Sequence, residues 1–120
     1  MKKILIADDK ASSRELIRTL LEHAGYAVCE AADGMEAVEV ARTEDPDLIL
    51  LDIHMPRLDG YATVEEMRSV DSLRSLPIIA LTASAMRGDH DKALQAGFTG
   101  YITKPVSLMA LRSEIEKLLS

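Results

Sequence analysis

The chain has 120 residues, of which 14 are Lys or Arg and 20 are Asp or Glu, so its formal net charge is −6 at pH 7. This length suits one domain, which buries roughly 65% of the surface that the unfolded chain exposes, and the single cysteine, Cys29, excludes an internal disulfide. The acidic balance disfavours nucleic acid and anionic membranes, and no apolar run approaches the ~18 residues of a membrane span, so we expect a cytoplasmic protein whose partner is another protein or a cation.

Short apolar runs alternate with segments of helical spacing along the whole chain. The pattern predicts strands at 4–7, 27–29, 48–51, 78–81 and 101–102. Between and after them it predicts five helices. The first starts at a Ser12–Glu15 capping box and ends at Gly25, the second is capped by Asp33, the third starts at about Gly60, the fourth spans 86–96 before Gly97, and the fifth follows Ser107.

The alternation of strand and helix predicts an α/β fold with a parallel sheet and right-handed crossovers. The first, third and fourth apolar runs are continuously apolar, which is typical of strands covered on both faces. Glu30 beside the second run favours an edge position for that strand. No linker or repeat divides the chain, so we expect one domain over residues 1–120.

Polar residues follow four of these strands directly, and they suggest where the chemistry lies. These residues are Asp8, Asp9, Asp52, Thr82 and Lys104. In open α/β sheets, ligands bind outside the carboxyl ends of the strands, so the five side chains are expected to converge at one edge. Three clustered carboxylates need a positive counter-charge, which a hard divalent cation such as Mg²⁺ and the Lys104 ammonium would supply. An Asp beside a cation, a lysine and a hydroxyl is also suited to covalent phosphoryl transfer onto that Asp.

Four segments carry a resemblance to a known family: Asp8-Asp9, the run from Leu50 to Gly60, Leu81-Thr82-Ala83, and the run from Tyr101 to Pro105. In their order and spacing they resemble the receiver domain of two-component response regulators, including DivK-like single-domain regulators, chemotaxis-type regulators and the receivers of hybrid kinases. The resemblance covers nearly the whole chain. It implies a doubly wound, flavodoxin-like five-stranded parallel sheet of order 2-1-3-4-5 with five helices.

The resemblance also implies roles for individual residues. Asp52 would accept a phosphoryl group, while Asp9, Asp52 and the backbone carbonyl of His54 would ligate Mg²⁺ and Asp8 would act through metal-bound water. Thr82 and Lys104 would bind phosphoryl oxygens, and Tyr101 would move inward together with Thr82 as a switch. The Lys104-Pro105 peptide bond would be cis. His54 and Ser84 would flank the route of hydrolytic water and so tune the phosphoryl lifetime.

The implied partners are a histidine kinase or a histidine phosphotransfer protein as donor, and a downstream protein that binds the face of the fourth helix, fifth strand and fifth helix. The implied activity is that of a signalling phosphoacceptor and not of an enzyme. Two alternatives remain open. One is a receiver domain excised from a hybrid kinase or a multidomain regulator, although the initiating Met1 and the lack of a tail favour a stand-alone regulator. The other is a haloacid-dehalogenase-type phosphatase, which His54 disfavours because that family needs a second Asp at this position.

Two histidines and the single cysteine are expected to have structural positions and no chemical role. His23 and His90 are predicted to lie on helix surfaces, and Cys29 is predicted to be a small hydrophobic residue of the core or the edge strand.

Overall fold

The computed structural model of the protein describes residues 1–55, 58–83 and 87–119, with Arg87 described by its backbone alone. Over these residues the chain alternates strands and helices. The elements are β1 (Lys3–Ala7), α1 (Ala11–His23), β2 (Ala27–Ala31), α2 (Gly34–Glu44), β3 (Leu48–Asp52), α3 (Gly60–Arg68), a 3₁₀ turn (Asp71–Leu73), β4 (Ile78–Thr82), α4 (Arg87–Ala96), β5 (Gly100–Thr103) and α5 (Leu108–Leu119). The predicted elements are confirmed, and the 3₁₀ turn is an addition to them.

The five strands form a parallel sheet of order β2-β1-β3-β4-β5, as the resemblance implied. Every residue of β3 and β4 is buried, whereas four of the five residues of the edge strand β2 are only partly buried. The register aligns Ala7 with Leu51 and aligns Asp52 with Leu81. The residues that follow β1, β3 and β4 therefore lie at the same edge of the sheet.

Alternate strand residues feed two apolar cores, one on each face of the sheet. Leu5 and Ile49 belong to the core under α2, α3 and α4, and Ile4 and Leu50 belong to the core under α1 and α5. This period of two is the side-chain alternation of a β-strand, and it explains why the central strands are continuously apolar. Within the described part of the chain, no helix combines the length and the apolar character that crossing a membrane requires.

The helix ends agree with the sequence signals, except at α1. The side chains of Asp33 and Asp59 accept hydrogen bonds from the backbone N–H groups of Glu36 and Ala62, as helix caps do. The predicted capping box at Ser12–Glu15 is wrong, because α1 begins at Ala11 after an extended Lys10 that makes no side-chain cap. The serines therefore lie inside the first turn, where their hydroxyls are available to other acceptors.

Gly60 brings the start of α3 close to the end of β3. A Cβ atom at this position would lie 2.5 Å from Ile53 Cα and 2.8 Å from the Asp52 carbonyl oxygen, and neither backbone atom can move aside. The Gly60 N–H donates to the Ile53 carbonyl at 2.8 Å. This close approach fixes the backbone that carries Asp52.

Candidate functional site

Three carboxylates meet at the carboxyl edge of the sheet. One oxygen atom from each of Asp8, Asp9 and Asp52 lies within 4.8 Å of the others. Asp8 is fully buried and Asp52 is 5% exposed, whereas Asp9 is exposed. The predicted convergence of the three carboxylates is therefore present.

Lys104 supplies the positive charge of this cluster. Its Nζ lies 3.1 Å from Asp52 Oδ2 and 3.3 Å from Asp8 Oδ2, so one ammonium bridges two acids. Burial opposes the charge of Lys104, but its hydrogen bond and attraction to Asp52 outweigh burial and raise the pKa of the ammonium. The Lys104 backbone N–H donates to the Thr82 carbonyl at 2.7 Å, and the Lys104-Pro105 peptide bond is cis.

The two buried acids differ in how well they are hydrogen-bonded. Asp8 accepts from the Ser13 hydroxyl at 2.6 Å, from the Lys10 backbone N–H at 3.0 Å and from Lys104. Burial alone would raise the pKa of Asp8, but these donors outweigh burial and leave that pKa below its ordinary value. Burial dominates at Asp52 and raises its pKa, although the His54 backbone N–H at 3.0 Å and Lys104 oppose the change.

A cavity of about 220 Å³ opens beside the cluster, lined by Asp9, Lys10, Asp52, His54, Ala83 and Lys104. Thr82 ends β4 next to Ala83 and is 4% exposed, and the His54 side chain is exposed at the cavity. A second cavity of about 360 Å³ is lined by Met35, Val38, Leu58 and Glu66. It carries one ionisable side chain among mostly apolar neighbours, whereas the cavity beside the acidic cluster is lined by two carboxylates, an imidazole and two ammonium groups.

Tyr101 lies on β5 and is partly buried. Its ring stacks on the imidazole of His90 from α4, with 3.7 Å between the ring centroids and 20° between the planes. The Nε2 atom of His90 is buried and has no hydrogen-bond partner among the described residues. His90 is therefore not the plain surface residue that the sequence predicted, because its ring is packed against Tyr101.

Of the remaining sequence predictions, some concern described residues and one concerns a residue outside them. Cys29 is half-buried on the edge strand, as predicted, and His23 is exposed. Ser84, the second residue predicted to tune hydrolysis, lies outside the described residues. Sequence reasoning missed the contact between Ser13 and Asp8, which only the position of Ser13 within the first turn of α1 could have indicated.

The residues present fit a hard divalent cation. Three carboxylates with oxygens within 4.8 Å of one another form the acidic set that Mg²⁺ or Ca²⁺ prefers, and the exposed Asp9 keeps the set open to solvent. Among the described residues, no sulfur or imidazole ligand belongs to this set, which disfavours softer transition metals.

Comparison with known proteins gives a consistent result. The sequence profile of the response regulator receiver domain matches residues 4–116. The polar-differentiation response regulator DivK of Brucella anthropi is 39% identical over 107 residues, which cover 89% of this chain and 87% of DivK. The chemotaxis response regulator CheY4 of Vibrio cholerae superposes with a TM-score of 0.93 at 32% identity, covering 99% of each chain.

A third relative was solved with a metal ion. The receiver domain of a sensor histidine kinase from Pseudomonas aeruginosa, with magnesium coordinated in its active-site cleft, superposes with a TM-score of 0.90 at 38% identity, covering 98% of this chain and 96% of that one. Profile, sequence and structure agree over nearly the whole length. The chain belongs to the response regulator receiver domain family and is a signalling phosphoacceptor of two-component systems, not an enzyme with a substrate of its own.

Proposed function

We propose that Asp52 is the phosphoacceptor and that it takes its phosphoryl group from a phosphohistidine on a histidine kinase or a phosphotransfer protein. One observation carries this assignment: among the described acids of the cluster, Asp52 is the one that both lines the 220 Å³ cavity and contacts Lys104. Asp8 contacts Lys104 but does not line the cavity, and Asp9 lines the cavity from an exposed position.

The residues of the site have distinct parts in the transfer. A carboxylate oxygen of Asp52 forms the new bond to phosphorus while the phosphorus–nitrogen bond of the phosphohistidine breaks and its electron pair leaves with the imidazole. The His54 backbone N–H holds one oxygen of Asp52 at 3.0 Å and so orients the carboxylate. Lys104, already at the acceptor, and the hydroxyl of Thr82 bind phosphoryl oxygens as charge accumulates there.

We propose Mg²⁺ as the cofactor, held by Asp9, Asp52 and the backbone carbonyl of His54, with Asp8 acting through metal-bound water. When it is bound, Mg²⁺ neutralises negative charge on the phosphoryl oxygens and the carboxylates. The acidic set described above and the magnesium in the cleft of the Pseudomonas relative support this assignment.

The acceptor assignment is tested with a small donor. Acetyl phosphate with Mg²⁺ is expected to raise the intact mass of the wild type by one phosphoryl group, and Asp52→Asn is expected to abolish the increase. Asp59→Asn is the matched control, because Asp59 belongs to the same loop but caps α3, and asparagine caps helices equally well. An undiminished mass increase in Asp52→Asn would place the acceptor elsewhere.

We further propose that the signal leaves through the face formed by α4, β5 and α5 toward a downstream protein, with Thr82 and Tyr101 as the switch. Two observations support this face. Tyr101 bridges from β5 to His90 on α4, and the face exposes two large apolar side chains, Leu94 at 46% and Met109 at 81%. A beryllofluoride mimic of the phosphoryl group should shift amide resonances at 87–96 and 101–111, and shifts restricted to the cavity would refute the assignment.

The remaining assignments concern context. We propose that residues 1–120 form one receiver domain that works in the cytoplasm. The single sheet with its two cores supports one domain, and the half-buried free thiol of Cys29 suits a reducing compartment. Both CheY4 and a sensor-kinase receiver are similar to this chain, so its stand-alone character stays a prediction.

A further inference from the structure

The first turn of α1 contacts the acidic cluster through Asp8. The Ser13 hydroxyl donates to Asp8 Oδ2 at 2.6 Å, and the Arg14 Nη1 donates to the Asp8 carbonyl oxygen at 2.8 Å. Both residues belong to the segment whose sequence suggested a helix cap, a role the structure does not give them. Neither residue lines the cavity.

We propose that Ser13 and Arg14 are positioning residues for the phosphoacceptor site, and that they set its affinity for Mg²⁺ by fixing Asp8 and the peptide that leads into Asp9. The proposal rests on the function proposed above. It assigns no direct contact with metal or phosphoryl group to either residue.

Ser13 acts on the side chain of Asp8. The Asp8 Oδ2 atom is shared between the Ser13 hydroxyl and Lys104 Nζ, and the residue is fully buried, so bulk water cannot replace a lost donor. Without the Ser13 hydroxyl, Asp8 would interact more strongly with the Lys104 ammonium. Lys104 would then move toward Asp8 and away from Asp52, and Asp8 would lose the orientation in which it serves the metal.

Arg14 acts on the backbone instead. The Asp8 carbonyl belongs to the planar peptide that joins Asp8 to Asp9, so a hydrogen bond to that oxygen fixes the plane from which Asp9 projects. Arg14 is itself held by Glu30 at the edge strand, with 3.0 Å between Nε and Oε1, and its side chain is only 19% exposed. Arg14 reaches its two acceptors with two different nitrogens, Nε and Nη1, which are held at a fixed spacing in one plane, whereas a lysine would have to reach both acceptors with a single nitrogen.

Matched controls exist in the same helix turns. Ser12 precedes Ser13 and is exposed, so Ser12→Ala removes a hydroxyl from the same turn without touching Asp8. Arg18 also pairs with Glu30 but makes no hydrogen bond to Asp8 among the described residues, so Arg18→Lys tests the ion pair alone.

The experiment measures the Mg²⁺ dissociation constant of the unphosphorylated protein by amide NMR titration, and then the phosphorylation rate by acetyl phosphate at saturating Mg²⁺. We expect Ser13→Ala and Arg14→Lys to weaken Mg²⁺ binding about tenfold, as changes to residues behind metal ligands do. Ser12→Ala and Arg18→Lys are expected to match the wild type, and Ser13→Thr is expected to restore binding because it keeps the hydroxyl.

Thermal unfolding without Mg²⁺ separates positioning from folding. If Ser13→Ala binds Mg²⁺ as tightly as Ser12→Ala does, or if Ser13→Thr binds as weakly as Ser13→Ala although both are folded, the proposal is overturned. The proposed function fails in a different way, through a wild-type protein that is not phosphorylated on Asp52.

Discussion

Arg68 joins three parts of the chain at the edge of the sheet opposite the acidic cluster. Its guanidinium donates to the Gly97 carbonyl at 2.8 and 3.0 Å, to the Leu76 carbonyl at 2.7 Å and to the Leu73 carbonyl at 3.1 Å. Burial lowers the pKa of the guanidinium. Arg68→Met keeps the apolar stem and removes every donor, so it tests how much this junction contributes to stability.

The expected loss in the free energy of unfolding follows from the three part-buried carbonyls. Each loses a charge-assisted hydrogen bond, and partial access of water leaves a cost of about 1 kcal/mol per carbonyl, or about 3 kcal/mol in total. With an unfolding entropy of roughly 2.1 cal/mol/K per residue, a chain of this length loses about 12 °C in Tm. Arg68→Lys should recover part of the loss, since one ammonium reaches fewer acceptors.

The assay is thermal unfolding by circular dichroism, combined with phosphorylation by acetyl phosphate at a temperature where all variants are folded. Arg74→Met is the control, because Arg74 is 65% exposed and pairs with an exposed Asp71, and its Tm should fall by no more than about 2 °C. The phosphorylation rate should stay at the wild-type value in both variants. An Arg68→Met protein within about 4 °C of the wild type would refute the reasoning from lost charge-assisted hydrogen bonds.

Three further predictions concern single side chains. His90→Ala removes the ring that stacks on Tyr101, a contact worth about 0.5–1.5 kcal/mol. The ratio of the inward and outward orientations of the Tyr101 ring should therefore shift roughly two- to twelvefold, which NMR of ¹³C-labelled tyrosine would detect. Unchanged Tyr101 resonances, as expected for the His23→Ala control, would contradict this prediction. His54→Ala should slow phosphate release from the phosphorylated protein more than Ser84→Ala does, because an imidazole nitrogen can act as a base toward a water and the short hydroxyl of serine cannot. Equal, unchanged release times in the two variants would end this idea. Burial raises the pKa of the Cys29 thiol, so the folded state holds this proton more tightly than the unfolded state, and stability relative to Cys29→Ala should fall as the pH rises above the ordinary value of 9.0. Urea unfolding at pH 7 and pH 10 checks the sign, and a difference that does not change with pH would be evidence against it.

The sequence carried most of the fold because the sheet is buried on both faces. Continuous apolar runs such as Leu48–Leu51 are what a two-sided core requires, and each is followed by a polar residue where the strand leaves that core. The same rule located Asp52, Thr82 and Lys104 before any contact was known. Strand order was not available in this way, since it came from the resemblance alone.

Contacts between side chains and backbone were not predictable from the pattern. Ser13 and Ser12 are the same residue type in the same turn, and only the direction of the helix decides which one contacts Asp8. Arg68 resembles any basic residue in the last turn of a helix, where it would favour the helix dipole, yet its guanidinium donates to four backbone carbonyls of other segments. Such contacts depend on the final packing of elements that are distant in sequence.

The two buried acids, Asp8 and Asp52, are suited to different roles because their hydrogen-bond donors differ. Asp8 is surrounded by a hydroxyl, a backbone N–H and an ammonium, and these hold its pKa down despite full burial. A carboxylate whose lone pairs are engaged in this way is fixed in place and a poor nucleophile. Asp52 has the backbone N–H of His54 and shares Lys104, and burial leaves its pKa raised. Its charge is thus the less stabilised of the two, so its lone pairs are the more available for a bond to phosphorus, which supports the proposal that the acid with fewer described donors accepts the phosphoryl group.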